Sequence, residues 1–186
     1  MDPHEPFLKA VLADRQDDLP RLVYADWLEE TGEPANVARA HFIRTQIHLE
    51  TTDPRSELHH ELKALETRIL DWYLDEWQHD LPEPLWNSDR LKQVMWRRGF
   101  PDNLGPLSVH EFRRYAHSAF ARLPLDTLHL ADFYTGIRFD EFPNLRSLVK
   151  LKLGPQFREL TETVTDITTA ATVRASATVI LSTKGQ

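Results

Sequence analysis

Three carboxylates, Asp26, Glu29 and Glu30, stand at positions i, i+3 and i+4. On a helix that spacing gathers them near one face, an arrangement able to hold a divalent cation or supply a general base. The same spacing suits a solvated helix end with Asp26 bonded to Arg21 or Arg44, and this structural role is the expected one. Arg21, Tyr24, Asp26 and Trp27 are therefore read as a structural motif. Two Glu-x-x-His units, Glu57/His60 and Glu76/His79, carry the ligand pair used in di-iron bundles. In those bundles the two copies face one cavity from different helices. Here both fall on one predicted helix, roughly 28 Å apart at about 1.5 Å per residue, so they do not converge on one metal pair. Cysteine is absent, which removes thiolate nucleophiles, thiolate zinc sites and disulfides together. Six glycines supply no G-x-x-x-x-G-K-[ST] or G-x-G-x-x-G phosphate cradle, and no G-x-S-x-G elbow exists. No catalytic residue, metal or cofactor is expected, and a metal-dependent hydrolase is the weakest of three function classes.

The stronger chemical signal is charge. The formal net charge of −7 over 186 residues divides into −11 for residues 1–90, +5 for 91–158 and −1 for 159–186. Total acidity disfavours a nucleic-acid binder, but the basic segment is different in kind. Within it, Leu91 to Trp96 reads L-x-x-V-x-W, while Leu125 to Leu130 and Leu148 to Leu153 both read L-x-x-L-x-L. The last two are offset by 23 residues, a leucine-rich-repeat period. Side chains alternate faces along a strand. With the leucines in the core, Gln93, Met95, Arg97, Thr127, His129, Lys150 and Lys152 are expected on an exposed sheet face, with Arg97, His129 and Lys152 in neighbouring rows. A non-enzymatic protein-interaction module binding an acidic partner surface through this face is the first function expected. A nucleic-acid-binding accessory protein, aided by Trp96, Phe100 and Tyr115, is the alternative.

These residues need elements to position them. Phe7, Leu8, Val11 and Leu12 have helical spacing. Asp17-Asp18 and Pro20 start a second helix with the stripe Leu19, Leu22, Val23 and Trp27, and Gly32 stops it. Pro34 starts a third helix carrying Ala38, Phe42 and Ile43. Asp53-Pro54 starts a fourth, whose Leu58, Leu62, Leu65, Ile69 and Trp72 form a coiled-coil-like seam, enlarged at its far end by Trp72, Tyr73 and Trp77 and ended by Pro82 and Pro84. Ser108-Val109-His110-Glu111 is a capping box opening a helix with the stripe Val109, Phe112, Ala116, Ala119 and Phe120. That helix would link two parallel strands as a crossover, with Gly136 and Pro143 breaking the connection from Leu130 to Leu148. The repeat period fails after Leu153. Residues 161–186 hold eight threonines, with Val164, Ile167, Val173, Val179, Ile180 and Leu181 able to form a strand or a frayed cap.

Phe7 to Asp14, then Asp17 to Gly32 with its core Arg21-Leu-Val-Tyr-Ala-Asp-Trp-Leu-Glu-Glu30, then His41-Phe-Ile-Arg-Thr-Gln46, together resemble the bacterial repeat-companion domain, a short N-terminal module. Trp96-Arg97-Arg98-Gly99-Phe100-Pro101, a helix and leucine-rich strands resemble the region C-terminal to that module in the family. The resemblance spans residues 4–155 and implies an accompanying repeat array, but no reaction. The expected fold is α/β (α+β), with about four helices packed on a short array of parallel strands. Residues 1–50 form the module, 51–90 a long helix and Pro-rich connector, 91–158 the array and 159–186 an atypical tail. No run of 18 apolar residues and no signal-peptide pattern at Met1 to Glu5 are present, so a cytoplasmic protein with no membrane partner is expected.

Overall fold

A computed structural model describes residues 2–77, 81, 93–131, 150–153 and 178–181. These form an α+β, mostly helical protein with five helices and two small sheets. The chain divides into two compact units. One comprises Met1–Lys92, Trp96–Pro101 and Arg122–Pro124; the other comprises Gln93–Met95, Asp102–Ala121 and Leu125–Gln186. None of the described helices is long and apolar enough to cross a membrane.

The first unit holds α1 (Glu5–Ala13), α2 (Leu19–Glu30), α3 (Pro34–Thr51) and α4 (Glu57–Trp77). Proline stands in the first turn of α1, α2 and α3, where its missing N–H costs nothing. Gly32 follows α2 at φ +70°, and its N–H donates to the Glu29 carbonyl at 3.2 Å. This satisfies an orphan carbonyl in a conformation glycine takes without strain. Helix α3 contributes to two cores. Ala40 and Ile43 join Val11, Tyr24, Ala25, Leu28 and Phe100, while Ala38 and Phe42 join Ile69 and Trp77.

Two predicted stripes are buried only in part. On α2, Leu19 and Val23 are 62% and 48% exposed, whereas Arg21, Tyr24, Ala25 and Leu28 are buried. Apolar residues occur all round this helix, so periodicity alone does not choose a side. On α4 the seam's Trp72 is 74% exposed. Ile69 and Trp77 are buried, Leu65, Leu70 and Tyr73 pack on the same cluster, and Glu66 is buried, a contact face that follows a straight helix of 3.6 residues per turn. A 3.5-residue seam drifts round such a helix by about 20° per heptad, which carries Leu58 and Trp72 off the contact. The proline stop at Pro82 and Pro84 lies outside the described residues.

A short hairpin, β1 (Met95–Arg97) and β2 (Phe100–Asn103), turns through Arg98 and Gly99 at φ +48° and +84°. Two positive-φ residues in a two-residue loop are the signature of a type I′ turn. The first predicted repeat strand, Leu91 to Trp96, is therefore corrected. Leu91 and Lys92 lie outside the described residues, and Met95 to Arg97 pair with their own hairpin partner.

The second unit holds β3 (Pro106–Leu107), α5 (Val109–Arg122) up to Ala121, β4 (Thr127–Leu130), β5 (Lys150–Leu153) and β6 (Thr178–Leu181). The four strands form one parallel sheet in the order β3-β4-β5-β6. The capping box is made as its sequence requires. Glu111 N–H donates to Ser108 Oγ at 3.2 Å, and Ser108 N–H donates to Glu111 Oε2 at 2.8 Å. Val109, Phe112, Ala116, Ala119 and Phe120 are all buried. Helix α5 thus links two parallel strands, but the first is β3 rather than β1. Thr178 to Leu181 in the Thr-rich tail form the strand beside β5. Val164, Ile167, Val173, Gly136, Pro143 and Leu148 lie outside the described residues.

Candidate functional site

The expected binding face begins with β4. Leu128 and Leu130 are buried, at 5% and 0% exposure, and the alternating Thr127 and His129 are half-buried. A strand that buries every second residue presents the others to the opposite face. The register pairs Thr127 with Lys150, Leu128 with Leu151, His129 with Lys152 and Leu130 with Leu153, each separated by the 23 positions of the sequence repeat. Neighbouring strands then set the rows. One row runs Thr127, Lys150 and Thr178; the next runs Pro106, His129, Lys152 and Ile180.

The row Arg97–His129–Lys152 does not occur. Pro106 takes the place expected for Arg97, because the sheet's first strand is β3. Gln93 and Met95 are exposed, Met95 by 56%, but they too stand on or before the hairpin strand and not in the parallel sheet. Of the seven expected residues, four belong to adjacent sheet positions: Thr127, His129, Lys150 and Lys152.

Arg97 is engaged within the first unit. Its Nε and Nη2 donate to Glu50 Oε1 and Oε2 at 2.9 and 2.7 Å, a two-pronged pairing suited to the guanidinium fork. The Arg97 bond holds the Glu50 carboxyl below its ordinary pKa, against an opposing desolvation effect. Arg98 is 6% exposed. Its Nη1 donates to the Gln16 carbonyl at 2.9 Å and to Asp18 Oδ1 at 3.1 Å, and its Nη2 to the Arg15 carbonyl at 3.0 Å. The turn backbone is held as well. Gly99 N–H donates to Gln46 Oε1 at 2.7 Å, and Gln46 Nε2 donates to the Trp96 carbonyl at 3.1 Å and to Glu66 Oε1 at 2.7 Å. Gln46 and Glu66 are both buried.

The carboxylate cluster has a structural occupant. Arg44 Nη2 lies 2.6 Å from Asp26 Oδ1 and 2.8 Å from Glu29 Oε2. The hydrogen bond to Asp26 is the largest effect raising the Arg44 pKa. Of the two partners foreseen for Asp26, the structure selects Arg44. Arg21, 2% exposed, instead donates to the Asp17 and Arg15 carbonyls at 2.7 and 2.8 Å. Tyr24 is buried and its hydroxyl lies 2.8 Å from His4 Nδ1, while Trp27 is half-buried and stacks on Phe7 at 4.9 Å. Asp26 itself is exposed, so the motif's buried part is Arg21 and Tyr24.

His60 Nδ1 lies 2.7 Å from the Ser56 carbonyl, and His79 lies outside the described residues. Among the described residues, no three His, Cys, Asp or Glu side chains gather as a metal site.

Sequence reasoning missed Arg39. It is 5% exposed, with its guanidinium carbon 4.7 Å from the Trp77 ring centroid, 4.8 Å from Trp96 and 5.5 Å from Phe100. An arginine among aromatic faces gains cation–π attraction. No local spacing signals it, because the three rings come from distant positions in the chain. The chain matches no family model, no curated protein and no solved structure among those compared with it.

Proposed function

We propose that the protein is a non-enzymatic protein-interaction module, in which a helical unit of the repeat-companion type precedes a short leucine-rich-like array. The array would bind an acidic partner surface through Thr127, His129, Lys150 and Lys152. The observation carrying this reading is the β4–β5 register, which sets His129 beside Lys152 and Thr127 beside Lys150 in adjacent parallel strands. Burial of Leu128 and Leu130 supports it from the other face of β4. Lys150 and Lys152 would supply the charge complementarity that steers an acidic partner.

The test titrates the full chain and its Lys150→Glu/Lys152→Glu variant against a labelled poly-glutamate peptide and a labelled oligonucleotide, each at two salt concentrations. The proposal expects peptide binding that the double reversal weakens by about tenfold or more, without lowering the melting temperature. Unchanged peptide binding refutes the site. Preferential oligonucleotide binding, falling steeply with salt, replaces the proposal with the nucleic-acid alternative.

A further inference from the structure

Each residue of the turn from Trp96 to Phe100 is contacted, and Pro101 is buried. The Trp96 carbonyl accepts from Gln46 Nε2, Arg97 is forked by Glu50, and Arg98 reaches two carbonyls and Asp18 between α1 and α2. Gly99 is selected twice. Its φ is +84°, and a Cβ there would clash with Ile43 Cγ1 and lie 2.9 Å from Ile43 Cα. Phe100, 2% exposed, stacks on Tyr24 at 5.9 Å in the same cluster as Ile43.

These contacts add directional polar requirements to the core packing of Phe100. A core that needs only apolar volume tolerates exchange of residues of similar size. Here the seat reads a guanidinium, a glycine with positive φ, an aromatic ring and a backbone carbonyl in fixed order. Arg98 adopts φ +48°, a costly conformation for a residue with a side chain. A turn with strain at its tip stays in place only where outside contacts hold it. The groups holding it come from α2, α3 and the loop between α1 and α2. The carboxylates and carbonyls bound by Arg97 and Arg98 lie at least 47 residues away in sequence.

We propose that the helical unit is a receptor for an Arg-Gly β-turn followed by phenylalanine, and that residues 96–101 are its intramolecular ligand. The site is separate from the sheet face of β4 and β5 and does not depend on the function assigned to that face. Its ligand class is a hairpin peptide with arginine and glycine at the two central turn positions. The segment is supplied in cis, so the site is filled in the wild-type chain and opens only when the chain's own turn is weakened.

The test uses full-length chains and a fluorescein-labelled synthetic peptide of residues 94–103. Wild-type protein is expected to bind the peptide weakly, because its own turn competes at high effective concentration. Full-length Gly99→Ala and Arg98→Ala variants are each expected to bind it at least about tenfold more tightly than wild type, and to melt at a higher temperature when it is present. A peptide with alanine in place of both Arg98 and Gly99 should lose at least about tenfold of that affinity. Equal binding by wild type and both variants, or equal binding of the two peptides, overturns the proposal. So does a variant that unfolds and is not restored by the intact peptide, because the turn is then a core segment that cannot be supplied separately.

Discussion

Replacing Gly99 by alanine tests the docked turn directly. Alanine at φ +84° incurs about 1–2 kcal/mol of left-handed strain. The added methyl would also clash with Ile43 Cγ1 and lie 2.9 Å from its backbone Cα. The side chain of Ile43 can rotate, but its Cα cannot move without α3, so relaxation is incomplete. Forcing a methylene into a packed core costs about 1–3 kcal/mol, giving about 2–5 kcal/mol in all. That is a large share of the 5–15 kcal/mol typical of a folded domain. Gly32→Ala is the internal control. Gly32 has φ +70°, but a Cβ there meets nothing within 4 Å, so only the conformational cost applies. Urea unfolding followed by tryptophan fluorescence measures both, and among the described residues Trp27, Trp72, Trp77 and Trp96 belong to the first unit. The expected result is a larger loss for Gly99→Ala, by about 1–3 kcal/mol, at unchanged m-value. Equal losses for the two variants would refute the close approach of the turn to Ile43.

Two more outcomes concern the first unit. Glu50 has a lowered folded pKa, so its pairing with Arg97 stabilises above the ordinary carboxylate range and is lost as pH falls through the lowered value. Both side chains are over a third exposed, which limits the contribution to about 0.5–1 kcal/mol. Urea midpoints of wild type and Glu50→Gln should therefore differ at neutral pH and converge in acid; a constant gap contradicts the pairing. On α4, Trp72→Gln should change stability by about 0.5 kcal/mol or less, whereas Trp77→Ala should cost about 3–5 kcal/mol. Similar thermal shifts for the two would restore the 3.5-residue seam.

Local signals are legible in proportion to how little they depend on distant residues. The capping box at Ser108 and Glu111 needs only four consecutive positions, and both of its hydrogen bonds form. Gly32 likewise marks its helix end from its own φ preference. The pairing of β4 with β5 is legible because its parallel register and the offset between the two L-x-x-L-x-L runs coincide at 23 residues. The first repeat strand is misplaced because L-x-x-V-x-W carries the same alternation as a hairpin strand. Only the two-residue Arg98-Gly99 turn distinguishes them, and Arg98 lacks the usual Asn or Asp identity at that position. The α2 and α4 stripes hold only in part for a related reason: periodicity fixes a helix, but neighbours choose how much of each apolar face is buried.

Charge illustrates the same dependence most clearly. The +5 segment contains Arg97 and Arg98, and in the sequence both count as positive charge open to a partner. The fold commits one to Glu50 and the other to Asp18 and two carbonyls. The basic excess that can meet an acidic partner is therefore smaller than composition suggests, and it no longer includes the hairpin. Lys150 and Lys152 then become the charges by which the sheet-face proposal stands or falls. The hairpin arginines belong to a different recognition problem, in which the helical unit is the receptor and the chain itself supplies the ligand.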